Sequence, residues 1–270
     1  MVRINFQQLS GNPHREAPHR WIAAALHEVR PALPSPPDSA AWSDTLTWLQ
    51  NAEAVLTREH ILIAIDEIER LQTGIEEGWT SAAFLDFLRA AGDSLRRTRL
   101  LLVCAHPLHR LGRAWTDRLI SVIHREITYL APEEAEALLC DPMPGFPEIY
   151  PPGGVARIVR DTNGHPYLVQ LVADALIRNL NGRSSLSAKE ADLTRALDRA
   201  LTDTPFFQEL WSDRTEEERE LLLRLAEREP LTLEASTALK ELVHGGYVTI
   251  AADQHRIAVP LFRTWIQEHA

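Results

Sequence analysis

The residues whose types and order could carry chemistry are concentrated in Ile61-Leu-Ile-Ala-Ile-Asp66-Glu67. A short β-branched run closed on both sides by charge reads as a buried central strand of a parallel sheet. Ending it in Asp-Glu places two carboxylates where the sheet opens. An aspartate there can hold Mg²⁺ through water, and the next glutamate can polarise an attacking water, as in phosphoryl transfer. A strand that merely meets solvent and ends in acids has the same pattern, so spacing alone leaves both readings open. His14, His19 and His27 cluster loosely without Cys or acid at ligand spacing and read as solvated. Cys104 and Cys140 have no metal-ligand spacing, and Cys104 lies in an apolar run, as a buried reduced thiol does. No Gly-x-Ser-x-Gly elbow occurs, so a serine hydrolase of that type has no nucleophile.

Positioning the two carboxylates takes an ordered sheet, and the composition can build one. Of 270 residues, 45% are hydrophobic and 24% charged, which suits a soluble globular chain with one or two cores. The net charge of −10 argues against a surface that neutralises phosphates nonspecifically. The longest uncharged apolar run, Leu100–Ala105, is far short of the roughly 18–20 residues that span a bilayer. With no signal peptide at Met1, a cytoplasmic protein without a membrane partner is expected.

Val2–Phe6 alternates as a strand, helices are expected at Trp21–Val29 and Trp42–Leu56, and the four prolines of Pro31–Asp38 make a loop between them. A helix at Ser81–Ser94 leads to a second buried strand, Leu100–Cys104. Ile120–Ile123 follows, and Arg125–Leu130 alternates as a strand would. Strands separated by helices mean an α/β fold with a parallel sheet. Beyond it the pattern is helical: Pro132-Glu-Glu-Ala starts a helix with an early proline and first-turn acids, and Gly153–Thr162, Pro166–Leu180 and Ala188–Leu201 follow. The last part has helices at Glu216–Arg228 and Leu233–Val243, a Gly245-Gly246 stop, and strands Tyr247–Ile250 and Gln254–Val259 around Ala251-Ala-Asp253. Helix, helix, hairpin is a winged-helix pattern, with Phe206, Phe207, Leu210, Trp211, Leu261, Phe262 and Trp265 as its core. The expected division is 1–130, 131–202 and 203–270.

Leu62–Leu71 with its acidic pair, the second strand after it, and Thr162-Asn-Gly-His-Pro-Tyr-Leu-Val-Gln170 together resemble the STAND and archaeal-ATPase branch of the AAA+ ATPases. The resemblance runs from the strand at Val2 to the helix at Leu261–His269. It implies an AAA+-like parallel sheet, incomplete here, then a helical lid and a winged helix, with ATP and Mg²⁺ as cofactors. Asp66 would hold the metal and Glu67 would polarise water. Gly164, His165 and Pro166 would be the Gly-x-Pro motif that opens a lid helix and packs against the nucleotide. On its residues alone, that stretch is a helix start with proline at its first position after a turn-forming Asn-Gly. His106 falls at sensor 1, the polar residue that touches the γ-phosphate, and equally fits a surface turn before Pro107. Arg118 and Arg125 both stand where an arginine finger is expected, and Arg125 is carried as the candidate.

The chain departs from the family at the phosphate loop. Gly-x-x-x-x-Gly-Lys-[Ser/Thr] is absent: Lys189 and Lys240 are the only lysines, neither follows glycine, and neither precedes Ser or Thr. Family order is matched from its second strand onward, so a strand with that loop is expected upstream of Met1. The resemblance implies a STAND-type signalling module, truncated or degenerate and deficient in nucleotide binding, that serves a protein partner or a larger multidomain protein; an oligomer stays open. The alternative is a winged-helix transcription regulator with a vestigial ATPase core. Its recognition helix, Leu233–His244, carries Glu234, Lys240, Glu241 and His244, a net charge of −1 with histidine neutral. DNA-reading helices bring several Arg, Lys, Asn or Gln instead. Fluorescence anisotropy with random and selected duplexes at about 150 mM salt should show no sequence-selective nanomolar binding; such binding would put the alternative first.

Overall fold

The computed structural model describes residues 1–56, 58–105, 107–202, 204–228, 236–251 and 254–270. The chain divides into two compact units, Met1–His124 and Arg125–Ala270.

In the first unit, β1 (Val2–Asn5), α1 (Pro18–Val29), α2 (Trp42–Ala54), β2 (Ile61–Asp66), α3 (Arg70–Glu76), α4 (Ala83–Ser94), β3 (Thr98–Leu102) and α5 (Arg113–Arg118) follow in order. The strands form a parallel sheet in the order β1-β2-β3, so β2 is central, as its β-branched run predicts. Register places Val2, Ile63 and Leu100 in one row and Ile4, Ile65 and Leu102 in another. Side chains alternate with period two, so these rows share a face. That face is buried with Ile22, Ala23 and Leu26 of α1, Trp48, Leu49 and Ala52 of α2, and Phe84, Leu85 and Leu88 of α4 in one hydrophobic cluster.

The opposite face carries Arg3, Leu62, Ala64, Arg99 and Leu101. There Leu101 is 49% exposed, and Val103 just beyond the strand 41%. Parallel sheets are ordinarily covered on both faces. Here the second face is open at β3, and among the described residues no strand pairs with the outer edge of β3.

Glu53, at the end of α2, locks the start of β3. Its carboxylate accepts the backbone N–H groups of Arg96 at 3.0 Å and Arg97 at 2.8 Å, and that of Thr98 as well. Burial pushes its pKa up, but the backbone donors it accepts hold it below the ordinary glutamate value.

His19 is a correction. Expected in solvent, it is buried, with Nδ1 3.0 Å from Thr45 Oγ1 and Nε2 3.2 Å from the Ala40 carbonyl. It falls on the inner face of α1, and the two partners satisfy both ring nitrogens, so burial leaves no polar atom stranded. Arg125–Leu130 differs too: it forms no strand, and Ile127, like Ile120 and Ile123 before it, stays largely exposed. Alternation gives a segment a strand's pattern but no ladder, and among the described residues Arg125–Leu130 pairs with no strand.

The second unit is α6 (Pro132–Cys140), α7 (Gly154–Thr162), α8 (Pro166–Gly182), α9 (Glu190–Thr202), α10 (Phe206–Ser212), α11 (Glu216–Ala226), α12 (Thr237–His244), the hairpin β4 (Val248–Ala251) and β5 (Gln254–Ile257), and α13 (Pro260–His269). The start of the expected helix at Leu233–Glu234 and the hairpin tip at Ala252–Asp253 lie outside the described residues. Thr215 and Glu218 cap α11 reciprocally, at 2.9 and 3.2 Å. One continuous core runs from Leu139, Ile158, Leu168 and Leu176 through Phe207 and Leu222 to Leu242, Phe262 and Trp265. Cys140 is exposed.

Replacing Glu53 by Gln should lower stability by about 2 kcal/mol in urea unfolding at neutral pH, because a charged acceptor of several backbone donors becomes a neutral one. A lowered folded pKa means the glutamate's contribution is full above the ordinary carboxylate value and fades as pH falls through the lowered one. The difference between wild type and variant should therefore shrink on acidification; a difference constant with pH would remove the charge from the explanation.

Candidate functional site

In parallel sheets ligands gather beyond the carboxyl ends of the strands, and there the acidic pair lies. Asp66 is the last residue of β2, opposite Asn5 of β1. Its Oδ2 accepts Nη2 of Arg3 at 2.8 Å, and its Oδ1 accepts the backbone N–H of Glu67 at 3.1 Å. Glu67 has φ 56, a left-handed conformation that costs a non-glycine residue about 1 kcal/mol. The turn that follows is stitched to the end of β3. Val103 N–H donates to the Ile65 carbonyl at 2.8 Å, Ile68 N–H to the Val103 carbonyl at 3.1 Å, and Ala105 N–H to Glu69 Oε1 at 3.0 Å. Arg70 Nε donates to Gln7 Oε1 at 2.9 Å, a second tie between the two chain segments that Arg3 and Asp66 join.

The strand ends do not form a phosphate cradle. After β1 the chain enters a 3-10 helix at Phe6–Gly11, with Asn5 capping Gln7 N–H at 2.8 Å. After β2 comes the acidic turn, and after β3 Val103-Cys-Ala. None supplies the run of outward backbone N–H groups and the lysine that hold phosphates. Among the described residues no three His, Cys, Asp or Glu side chains come together as a metal site. Mg²⁺ held by protein needs carboxylate oxygens that face it, and at Asp66 one oxygen already faces the Arg3 guanidinium and the other accepts a backbone N–H. The residues present do not fit the metal.

The remaining site residues fall elsewhere. His106 lies outside the described residues. Arg118 Nε donates to Asp86 Oδ1 of α4 at 2.6 Å, an ion pair internal to its unit rather than a free guanidinium. Arg125 is exposed at the head of the second unit. Gly164, His165 and Pro166 form a joint in that unit. Helix α7 ends through Asn163 at φ 49 and Gly164 at φ 67, and α8 starts with Pro166 at its first position. Leu130 N–H donates to the Gly164 carbonyl at 2.9 Å, and a Cβ on Gly164 would lie 2.3 Å from the Leu130 carbonyl oxygen. Only glycine fits both the backbone angle and the approach.

The His165 ring packs between Tyr129, 5.3 Å away, and Phe206, 5.2 Å away, and burial holds its pKa below the ordinary histidine value. The Tyr129 hydroxyl donates to the Gly246 carbonyl at 2.8 Å, and burial, with Tyr247 adding to it, pushes its pKa up to about 12. The segment read as a strand thus serves as a strap: Tyr129 and Leu130 bind the turn at Gly164 and the turn at Gly246 together. A cavity of about 110 Å³ lies beside it, lined by His165, Phe206, Phe207, Tyr247 and Phe262 among others.

Sequence reasoning missed Arg3, Glu69 and Tyr129. Arg3 had a signal, an arginine alternating with Val2 and Ile4 on a strand whose outward face must meet something polar. Glu69 and Tyr129 had none, because their partners are 36 and 117 residues away.

No protein-family model matches the sequence, and no curated protein is significantly similar to it. Solved structures do resemble the fold. The Walker-type ATPase PABY2304 of Pyrococcus abyssi aligns with a TM-score of 0.61 over 98% of this chain and 83% of its own, at 14% identity. The Aeropyrum pernix ORC2 protein aligns in its ADPNP-ADP complexes with a TM-score of 0.54 over 99% and 78%, also at 14% identity. Its ADP form gives 0.52 over the same shares. At such identities the likeness is one of fold: the chain has an AAA+ ATPase-like architecture. Among the described residues no helix is long and apolar enough to cross a membrane.

Gly164→Ala should destabilise the second unit by at least about 2 kcal/mol, combining left-handed strain with the clash at Leu130. Urea unfolding measures the loss, and limited trypsin digestion should cut sooner after Arg125 as the strap loosens. A loss below about 0.5 kcal/mol would show that the turn tolerates a side chain and does not hold the strap.

Proposed function

We propose that this chain is a regulatory module of the STAND type, built on an AAA+-like fold, that works as a non-hydrolysing scaffold for another polypeptide segment. The observation that carries the reading is the state of its sheet. The acidic turn of Asp66 and Glu67 ends the central strand, the outer edge of β3 has no strand partner among the described residues, and Leu101 and Val103 are exposed on one face of the sheet. Edges of this kind invite pairing, and apolar side chains on a parallel sheet invite a covering helix. A strand followed by a helix, contributed by a protein partner or by another part of a larger protein, would satisfy both. In this reading 131–202 is the lid and 203–270 the winged helix. The strap through Tyr129 and Leu130 joins the Gly-x-Pro turn to the hairpin side, so a shift at one turn is felt at the other. The acidic candidate recognition helix favours protein over DNA as what the winged helix meets.

Calorimetry with Mg-ATP at tens of micromolar tests the non-hydrolysing half of the proposal, and no saturable heat is expected. Stoichiometric binding with submicromolar affinity would overturn it. For the scaffold half, Leu101→Glu with Val103→Glu should leave the stability of the isolated chain within about 0.5 kcal/mol of wild type, as at exposed sites. A loss of several kcal/mol would mean that this face is already buried and takes no partner.

A further inference from the structure

We infer that Arg3 is a built-in cation at the acidic end of β2, standing where a divalent metal would have to sit, and that it excludes such a metal from Asp66. The inference rests on reading Asp66 as the counterpart of a metal-holding aspartate. The disagreement between that role and the residues around it is itself informative.

Three observations combine. First, each Asp66 oxygen already accepts a hydrogen bond, Oδ2 from the Arg3 guanidinium at 2.8 Å and Oδ1 from the Glu67 N–H at 3.1 Å. A guanidinium bound at a carboxylate oxygen supplies the positive charge that the oxygen would otherwise seek from a cation. Second, the placement follows from strand geometry. Asn5 pairs with Asp66 and Arg3 with Ala64, so Arg3, Asn5, Ala64 and Asp66 point to the same face. Arg3 therefore lies diagonally from Asp66, and its long side chain reaches up along the sheet to the carboxylate. A shift of register by one residue would turn Arg3 to the buried face. Third, no full metal shell stands around Asp66: among the described residues no cluster of three ligating side chains exists, and Oε1 of Glu69 is held by the Ala105 N–H. Mg²⁺, which gives up water reluctantly, has an incomplete shell to gain and a resident cation to displace.

The Arg3 side chain is 68% exposed and that of Asp66 24%. An exposed pair adds little to stability, so its loss should leave the chain folded and its metal chemistry readable. The experiment is a titration of the full chain with Mn²⁺, followed by the electron paramagnetic resonance signal of the free ion. Wild type should bind no Mn²⁺ at Asp66 up to about 1 mM. Arg3→Gln should bind it at least tenfold more tightly, and Arg3→Gln with Asp66→Asn should lose that gain. Arg3→Lys, which keeps the charge, should behave as wild type.

Equal Mn²⁺ binding by wild type and Arg3→Gln overturns the inference, as does a gain that survives Asp66→Asn. Should Arg3→Gln unfold, Arg3→Ser takes its place, and Asp66→Asn in the wild-type background must then leave Mn²⁺ binding unchanged; a decrease would show that the metal was reaching Asp66 past Arg3. Tight Mg-ATP binding in calorimetry would sink the scaffold reading, whereas the Mn²⁺ comparison reports only which cation Asp66 holds, so the two can fail separately.

Discussion

Strand β2 is hydrogen-bonded along both edges, and much of the first unit follows from that double ladder. Ile61, Ile63 and Ile65 must all face the helices, because a slip of one residue would bring Leu62, Ala64 and Asp66 into the core. An uncompensated carboxylate there would cost several kcal/mol, so register is strongly determined. Once it is set, Asp66 has to emerge at the carboxyl end of the sheet, on the face of Arg3 and away from α1, α2 and α4. Burying three isoleucines at roughly 2 kcal/mol each also supports the left-handed turn at Glu67, whose cost is smaller.

The second unit depends on a backbone fit instead. Gly164 lets the turn between α7 and α8 press against Leu130 at a distance no side chain would permit. That contact brings Tyr129 to His165 and to the Gly246 carbonyl. The ring stack continues from His165 to Phe206, Phe207 and Phe262, so the joint is bound into the same core as the C-terminal helices. Coupling through such a chain of packed rings is direct contact, with no need for a longer route.

Fold and chemistry have parted in this molecule. The architecture is AAA+ ATPase-like, yet among the described residues the strand ends lack a phosphate cradle, and Arg3 of the adjacent strand is paired with Asp66 at the acidic turn. Two neighbouring side chains are held by structural partners, Oε1 of Glu69 by the Ala105 N–H and Arg70 by Gln7. Such an arrangement is what the proposed scaffold role rests on, with the open side of β3 as the surface proposed to be recognised.

Composition and periodicity alone were enough to identify the parallel α/β character, the central place of Ile61–Ile65, the helical stretch beyond Pro132 and the turn chemistry of Asn163-Gly164-His165-Pro166. These are local properties: a β-branched run, a 3.6-residue period, a proline at a helix start. Three features came only with the tertiary structure. His19 looked solvated because its partners, Thr45 and Ala40, are brought to it by the packing of α1 on α2. Arg125–Leu130 alternates like a strand, but a strand is a property of two segments, and this one, paired with no strand among the described residues, became a strap. Asp66 was legible as an acid at a strand end, while its occupation by Arg3, 63 residues away, depends on the β1–β2 register. A sequence records which residues can bear charge; only the packed sheet decides which charges meet.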